Sequence, residues 1–224
     1  MSEKGLDLKS YILSVVDEEI DRFNAVLKFN EEELTVYKEL LDHFKGTNNS
    51  SQSTQRKGEA LENIVSYIME KSVVFEVIQN VRTSSNEIDL LIRLNERGRF
   101  FKAQGLLTFE DKLIAECKNY EGRVSVTWVG KFSSLMNYTR NNLGIMFSYH
   151  GLTGSGWKDA EGLTKKLYLG ESAKIIDFNI SDFELLASGE SFIKIINDKI
   201  FALESDTSYK GFILEHPNES AFKI

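Results

Sequence analysis

A chain of 224 residues, 42% apolar and 27% charged, can hold one main domain with an appendage but not two full-sized domains, and it has no apolar run long enough to cross a bilayer. Its net charge of -7 argues against holding nucleic acid by broad electrostatics, which takes clustered Lys and Arg. The lone Cys117 rules out an internal disulfide, and the opening MSEKGLDLKS has neither a secretory nor a transit pattern, so the cytoplasm is the expected compartment.

The acid is unevenly spread. Residues 1–50 carry eleven Asp or Glu against six Lys or Arg, which leaves the remainder nearly neutral. Residues 7–29 place Leu8, Ile12, Val16 and Ile20 four apart, with Leu13, Phe23 and Leu27 beside them, and this spacing predicts an amphipathic helix. Asn30 and Glu33 have the spacing of a capping box, and Leu34, Tyr37, Leu41 and Phe44 continue a second helix until Gly46 is expected to stop it. Residues 1–46 therefore predict a helical hairpin. Two such helices cannot bury their apolar faces against each other alone, so the hairpin must dock on the main domain, a second copy or a partner protein. Residues 47–57, TNNSSQSTQRK, contain no apolar side chain and are expected to form a flexible linker, with the main domain at 58–224.

From Gly58 onward the pattern alternates. Leu61, Ile64, Val65 and Ile68 have helical spacing, residues 73–81 are β-branched and aromatic, and residues 88–94 and 112–119 read as two further strands with N-E-R-G at 95–98 as a turn. Residues 126–141 predict a helix, 144–150 an apolar strand, 159–167 a helix, 173–180 a strand, and 182–186 and 192–203 two helices. The expected class is α/β.

Alternation along a strand puts Glu116 and Lys118 of I-A-E-C-K-N on one face. Asp89 lies within E-I-D-L-L-I, and an acid inside such an apolar run is unfavourable unless a cation compensates it. Two carboxylates on adjacent strands supply the hard oxygens that Mg²⁺ takes, or Mn²⁺ in its place, with the Cys117 backbone carbonyl as an expected further ligand. A metal so held polarises a phosphate, and a lysine two residues on would offset charge developing at phosphorus. The spacing alone is weak evidence, since Asp7-Leu8-Lys9 and Glu110-Asp111-Lys112 share it; only Glu116-Cys117-Lys118 follows apolar strand residues and an upstream strand bearing an acid.

In the order helix acid, strand, strand with Asp, strand with Glu-x-Lys, helix, strand, the chain resembles the PD-(D/E)XK nuclease superfamily and, within it, the Mrr-like restriction endonucleases. The resemblance spans about residues 58–204 and rests on G-E-A-L-E at 58–62, N-E-I-D-L at 86–90, A-E-C-K-N at 115–119 and G-I-M-F-S-Y-H-G at 144–151. Where many Mrr-like members have a glycine-rich turn before the aspartate, this chain has T-S-S-N-E-I. The resemblance implies a restriction-endonuclease-like mixed central sheet flanked by helices. It further implies Asp89 and Glu116 as metal ligands, Lys118 as the catalytic lysine, Glu62 as the helix acid, and DNA as substrate.

Other features read more plainly. Cys117 is expected to be a small core hydrophobe, and His43, His150 and His216 have no metal-ligand spacing. G-L-T-G-S-G at 151–156 lacks the Gly-Lys-Ser/Thr ending of a phosphate loop and reads as a surface loop. Arg123, Lys131 and Arg140 are candidates for DNA phosphate contacts or for a solvated helix face. The reading is a metal-dependent DNA endonuclease of bacterial restriction or anti-phage defence, acting as a homodimer or with a protein partner on the hairpin. The alternatives are a non-catalytic adaptor on the nuclease fold, and a nuclease for RNA or branched DNA.

Overall fold

The computed structural model describes residues 7–49, 51–82, 87–154 and 158–205. Thr83 to Asn86, the approach to Asp89, lie outside the described residues, as do Ser155, Gly156 and His216. The elements run α1 (Leu8–Val26), α2 (Glu31–Asn48), α3 (Thr54–Lys71), β1 (Phe75–Arg82), β2 (Glu87–Leu94), α4 (Glu96–Ala103), β3 (Lys112–Cys117), α5 (Val126–Thr139), β4 (Leu143–Phe147), α6 (Ala160–Glu171), β5 (Lys174–Phe178), α7 (Ile180–Ala187) and α8 (Phe192–Glu204).

One sheet of order β1-β2-β3-β4-β5 organises the chain. β1, β2 and β3 pair antiparallel, while β3, β4 and β5 are parallel. Parallel strands need crossovers, and α5 and α6 supply them. Alternation then sorts the side chains. Leu90, Ile92, Leu113, Ala115, Ile145, Phe147, Ile176 and Phe178 join the larger core with residues of α2, α3, α7 and α8. Ile114, Met146 and Ile175 pack with Val129, Phe132 and Met136 of α5 on the other face. The result is the expected mixed sheet flanked by helices. β4 is buried along its whole length, as a parallel strand covered on both faces must be.

Gly144 on β4 is needed for that packing: a Cβ there would stand 2.5 Å from the Phe132 ring and 2.6 Å from the Met136 sulfur. Gly144→Ala should overpack the α5 layer and lower stability by about 1–3 kcal/mol, read from the denaturant midpoint. An unchanged midpoint would mean that α5 shifts freely.

Several elements depart from expectation. α2 does not stop at Gly46 but continues to Asn48, and α3 begins at Thr54 behind a Ser53 cap, so most of the residues expected as a linker at 47–57 are helical. The capping box at Asn30 and Glu33 is present. The two hairpin helices also differ from each other. α2 packs on α3 and α7; its Tyr37, Leu41 and Phe44 are in the larger core, and the buried Tyr37 hydroxyl donates to the Phe183 carbonyl (2.9 Å). α1 has no buried residue, and only its end is held, through Phe23 edge-on to Phe101 and the Leu27 carbonyl accepting from Ser191 Oγ. N-E-R-G at 95–98 is not a turn: Asn95 caps α4, accepting from the Gly98 N–H (2.9 Å).

Candidate active site

The site forms where β2 and β3 part. Their ladder runs from Arg93↔Lys112 to Leu90↔Ala115, and Asp89 and Glu116 are the first residues beyond it. On the opposite side, β1 pairs through Gln79↔Leu90 and Val81↔Ile88 but not through Asn80, whose φ of 51° is the left-handed conformation that Asn tolerates better than most residues. Asp89 thus lies at a break in both ladders. Its Oδ2 accepts from the Cys117 N–H at 2.9 Å, replacing a strand hydrogen bond with one from a side chain. β3 stays attached to β4 through the Lys118 N–H donating to the Phe147 carbonyl (2.8 Å).

Lys118 joins the two acids. Its ammonium pairs with Glu116 and stands 3.7 Å from Asp89, and the three side chains are 18%, 15% and 30% exposed respectively. Burial disfavours the charged lysine, but the hydrogen bond that the ammonium donates to Glu116 and the negative charges of Glu116 and Asp89 outweigh it and hold the ammonium pKa above its ordinary value. Lys118 is therefore a cation at neutral pH. Its ammonium also lies 5.3 Å from the Trp128 ring centroid, and Lys131 stands over the same ring at 4.4 Å.

Glu62 sits across from this group on α3, where it borders a cavity of about 40 Å³ with Asp89, Cys117 and Ser66. Partial burial, then the charges of Asp89 and Glu59, push its carboxyl pKa upward. Cys117 packs against the larger core, as a small hydrophobe would, and also borders this cavity. Burial first, then Asp89, Glu62 and Glu116, raise its thiol well above the ordinary value, so it is not a thiolate near neutrality.

The two carboxylates offer the hard oxygens that a divalent cation takes, and to that extent the residues fit one. Among the described residues no group of three or more His, Cys, Asp or Glu side chains is placed to hold a metal ion, so Asp89 and Glu116 would be the side-chain ligands and other ligands must come from backbone, water or substrate. The backbone group of Cys117 engaged with Asp89 is its N–H.

The other candidates disperse. Lys131 reaches the site's margin through Trp128, whereas Arg140, in left-handed conformation, caps the distal end of α5 beside the start of β4, at the opposite edge of the sheet. Arg123 donates to the Leu152 carbonyl (3.5 Å) and borders a larger cleft. Gly151 and Leu152, expected in a surface loop, are buried, because Val124 pairs with Leu152 in an isolated bridge and its N–H donates to the Gly151 carbonyl. Among the described residues His43 and His150 belong to no group that could hold a metal ion.

Two residues of the site were not singled out by spacing or motif. Trp128 enters only because α5 folds back over β3. Asn119, buried, donates through Nδ2 to the Lys57 carbonyl (2.7 Å) and so ties the start of α3 to the end of β3; its place directly after Lys118 was the one available signal.

Comparison with curated proteins and with solved structures finds no match. The Mrr_cat restriction endonuclease family, in contrast, matches residues 54–178. That span runs from the first residue of α3 to the last of β5, enclosing Glu62, Asp89, Glu116 and Lys118 and more than half of the chain. With its mixed sheet and the acids and lysine at the strand break all inside the matched region, the chain belongs to the restriction endonuclease family and is a nuclease of that kind.

Proposed function

We propose that this nuclease hydrolyses DNA phosphodiester bonds with a divalent cation, Mg²⁺ or Mn²⁺, held by Asp89 and Glu116. The observation that carries the reading is the convergence of Asp89, Glu116 and Lys118 where β2 and β3 separate. The cation, when bound, supplies Lewis acidity toward the phosphate. Lys118, held as an ammonium, stabilises negative charge developing on the phosphoryl oxygens. Glu62, with its raised carboxyl, orients water at the cavity it shares with Asp89. Lys131 contacts the phosphate backbone beside Trp128.

One such site stands among the described residues and a duplex has two strands, so two-fold pairing is the assembly this reading calls for. The exposed apolar face of α1, with Leu8, Ile12, Val16 and Ile20, suits a second copy or a partner protein. The acid excess of the N-terminal region suits a partner that controls access to DNA, as in restriction or anti-phage defence.

The test is cleavage of supercoiled and linear DNA by the purified protein with Mg²⁺, Mn²⁺ or EDTA. Cutting with either metal and none in EDTA is expected. Cutting of RNA but not DNA would replace the substrate, and no cutting of either with any metal would favour a protein-binding adaptor that keeps the fold.

A further inference from the structure

The parallel strands β3, β4 and β5 end along one edge of the sheet, and that edge carries a second feature besides the acid-lysine group. A cleft of about 780 Å³ opens at the outer strand β5, with α6 on one side and α8 on the other, and reaches the start of α7. Crevices at the carboxyl ends of parallel strands are favoured places for ligands. Here the floor is built from charge. Lys199 of α8, only 7% exposed, lies 2.9 Å from Asp182 and 3.5 Å from Asp177. Asn179 donates to Asp177 at 2.6 Å, and its own N–H donates to Asp182 at 2.7 Å. Five polar groups are thereby locked in place along one wall, while Ile180, Leu185 and the half-buried Tyr149 ring line the cleft with apolar surface. Arg123 and Lys165 bring positive charge to the same cleft, which Glu161 also borders.

Rigid acceptors, apolar and aromatic walls and flanking cations together match the needs of one nucleotide: an edge to hydrogen-bond, faces to cover and a phosphate to neutralise. The position fits as well. Neighbouring strands stand about 4.8 Å apart, so β5 is about 10 Å from β3, a span of about three stacked nucleotides. The segment leaving Lys118 leads within five residues to Arg123, which joins the two places.

We propose that this cleft takes a single unstacked nucleotide, with the amino group of its base on Asp177 and its phosphate between Arg123 and Lys165. The inference rests on the nuclease reading for the source of that nucleotide, a strand of the bound DNA, whereas the cleft itself stands apart from it. Thymine has no exocyclic amino group and is the base the cleft should accept least well.

The experiment measures binding in EDTA, so that no cutting is required. The probes are the four 5′-deoxynucleoside monophosphates and short labelled single strands of each base, offered to the wild-type protein and to Ser181→Trp. Ser181 is exposed, borders the cleft and donates its backbone N–H to Asn179 Oδ1, so the tryptophan fills the space without removing a charge. Expected is a roughly tenfold preference of the wild type for amino-bearing bases over thymine, lost with about tenfold of affinity in Ser181→Trp. Loss seen with monophosphates identifies a free nucleotide as sufficient ligand; loss seen only with strands identifies a nucleotide extruded from DNA. Lys165→Glu reverses the charge at this side of the cleft and should weaken every probe. Binding unaffected by a folded Ser181→Trp, or by Lys165→Glu if the first variant does not fold, overturns the proposal. A wild type that shows variant-sensitive binding yet cuts nothing with metal removes the nuclease reading and leaves the cleft; cutting with variant-insensitive binding does the reverse.

Discussion

Replacing Lys118 with alanine is expected to lower the rate of DNA cutting about 10²–10³-fold, the effect of removing one preorganised charge from a phosphoryl or acyl transition state. The expectation follows from where the lysine is held. It directly follows the end of β3, two residues after Glu116, pairs with that acid, approaches Asp89 and borders the Trp128 ring, so its ammonium has little freedom to point elsewhere. Its raised pKa keeps it charged across the neutral range and makes its role electrostatic rather than that of a base. Without it two carboxylates face each other with less compensation, and a divalent cation becomes the main means of offsetting them. Thermal protection of Lys118→Ala by Mg²⁺ should accordingly be at least that of the wild type, even as cutting fails. Initial rates on supercoiled plasmid and melting curves with and without metal give both readouts. A variant that cuts at the wild-type rate would remove Lys118 from the chemistry.

The second large effect concerns stability. Lys199→Met should cost about 3–5 kcal/mol at pH 7.5, because it leaves the buried Asp182, with Asp177 beside it at the cleft, without the compensating cation. The loss should depend on pH in a defined sense. Burial lifts the Asp182 carboxyl from 3.8 to about 6, against the attraction of Lys199, which lowers it. A carboxyl with a folded pKa above its unfolded value binds its proton more readily in the native state, so its contribution weakens the fold as pH rises from about 4 to about 6 and is constant above. Removing the lysine raises that carboxyl further. The gap between wild type and Lys199→Met should therefore be widest above pH 6 and narrow on acidification as Asp182 becomes neutral. Denaturant midpoints at pH 5 and pH 7.5 decide it: a gap that is equal or wider at pH 5 would show that the lysine acts through packing of its methylenes and not through charge.

Much of the site was legible before any coordinates because strand alternation is local. Within I-A-E-C-K-N, period-two geometry alone puts Glu116 and Lys118 on one face, and the observed ion pair is the direct consequence. The capping box at Asn30 is local in the same way and is found as expected. Where the expectation failed, a local signal met a longer-range one. Gly46 has space around it and was absorbed into α2, because Tyr37, Leu41 and Phe44 bury that helix in the main core and tertiary packing outweighs the small helix penalty of one glycine. The polar run at 47–57 likewise holds no apolar side chain, yet its last residues form the capped first turn of α3. Asn95 read as a turn residue is equally an N-cap, and the α4 residues that follow decide between them.

By itself the amino-acid sequence determined the α/β class, the shared face of Glu116 and Lys118 and the placing of an acid within an apolar strand at Asp89, since each depends on side-chain period and on the cost of charge in apolar surroundings. Only the tertiary structure decided that β2 pairs with β3 no earlier than Leu90, that the Asp89 carboxylate fills the break by accepting from Cys117, and that Trp128 covers Lys118. It alone built the Lys199 cluster, whose members come from β5, α7 and α8. These are contacts between residues far apart in the chain, fixed by how strands pair and helices cross, and no spacing along one segment encodes them.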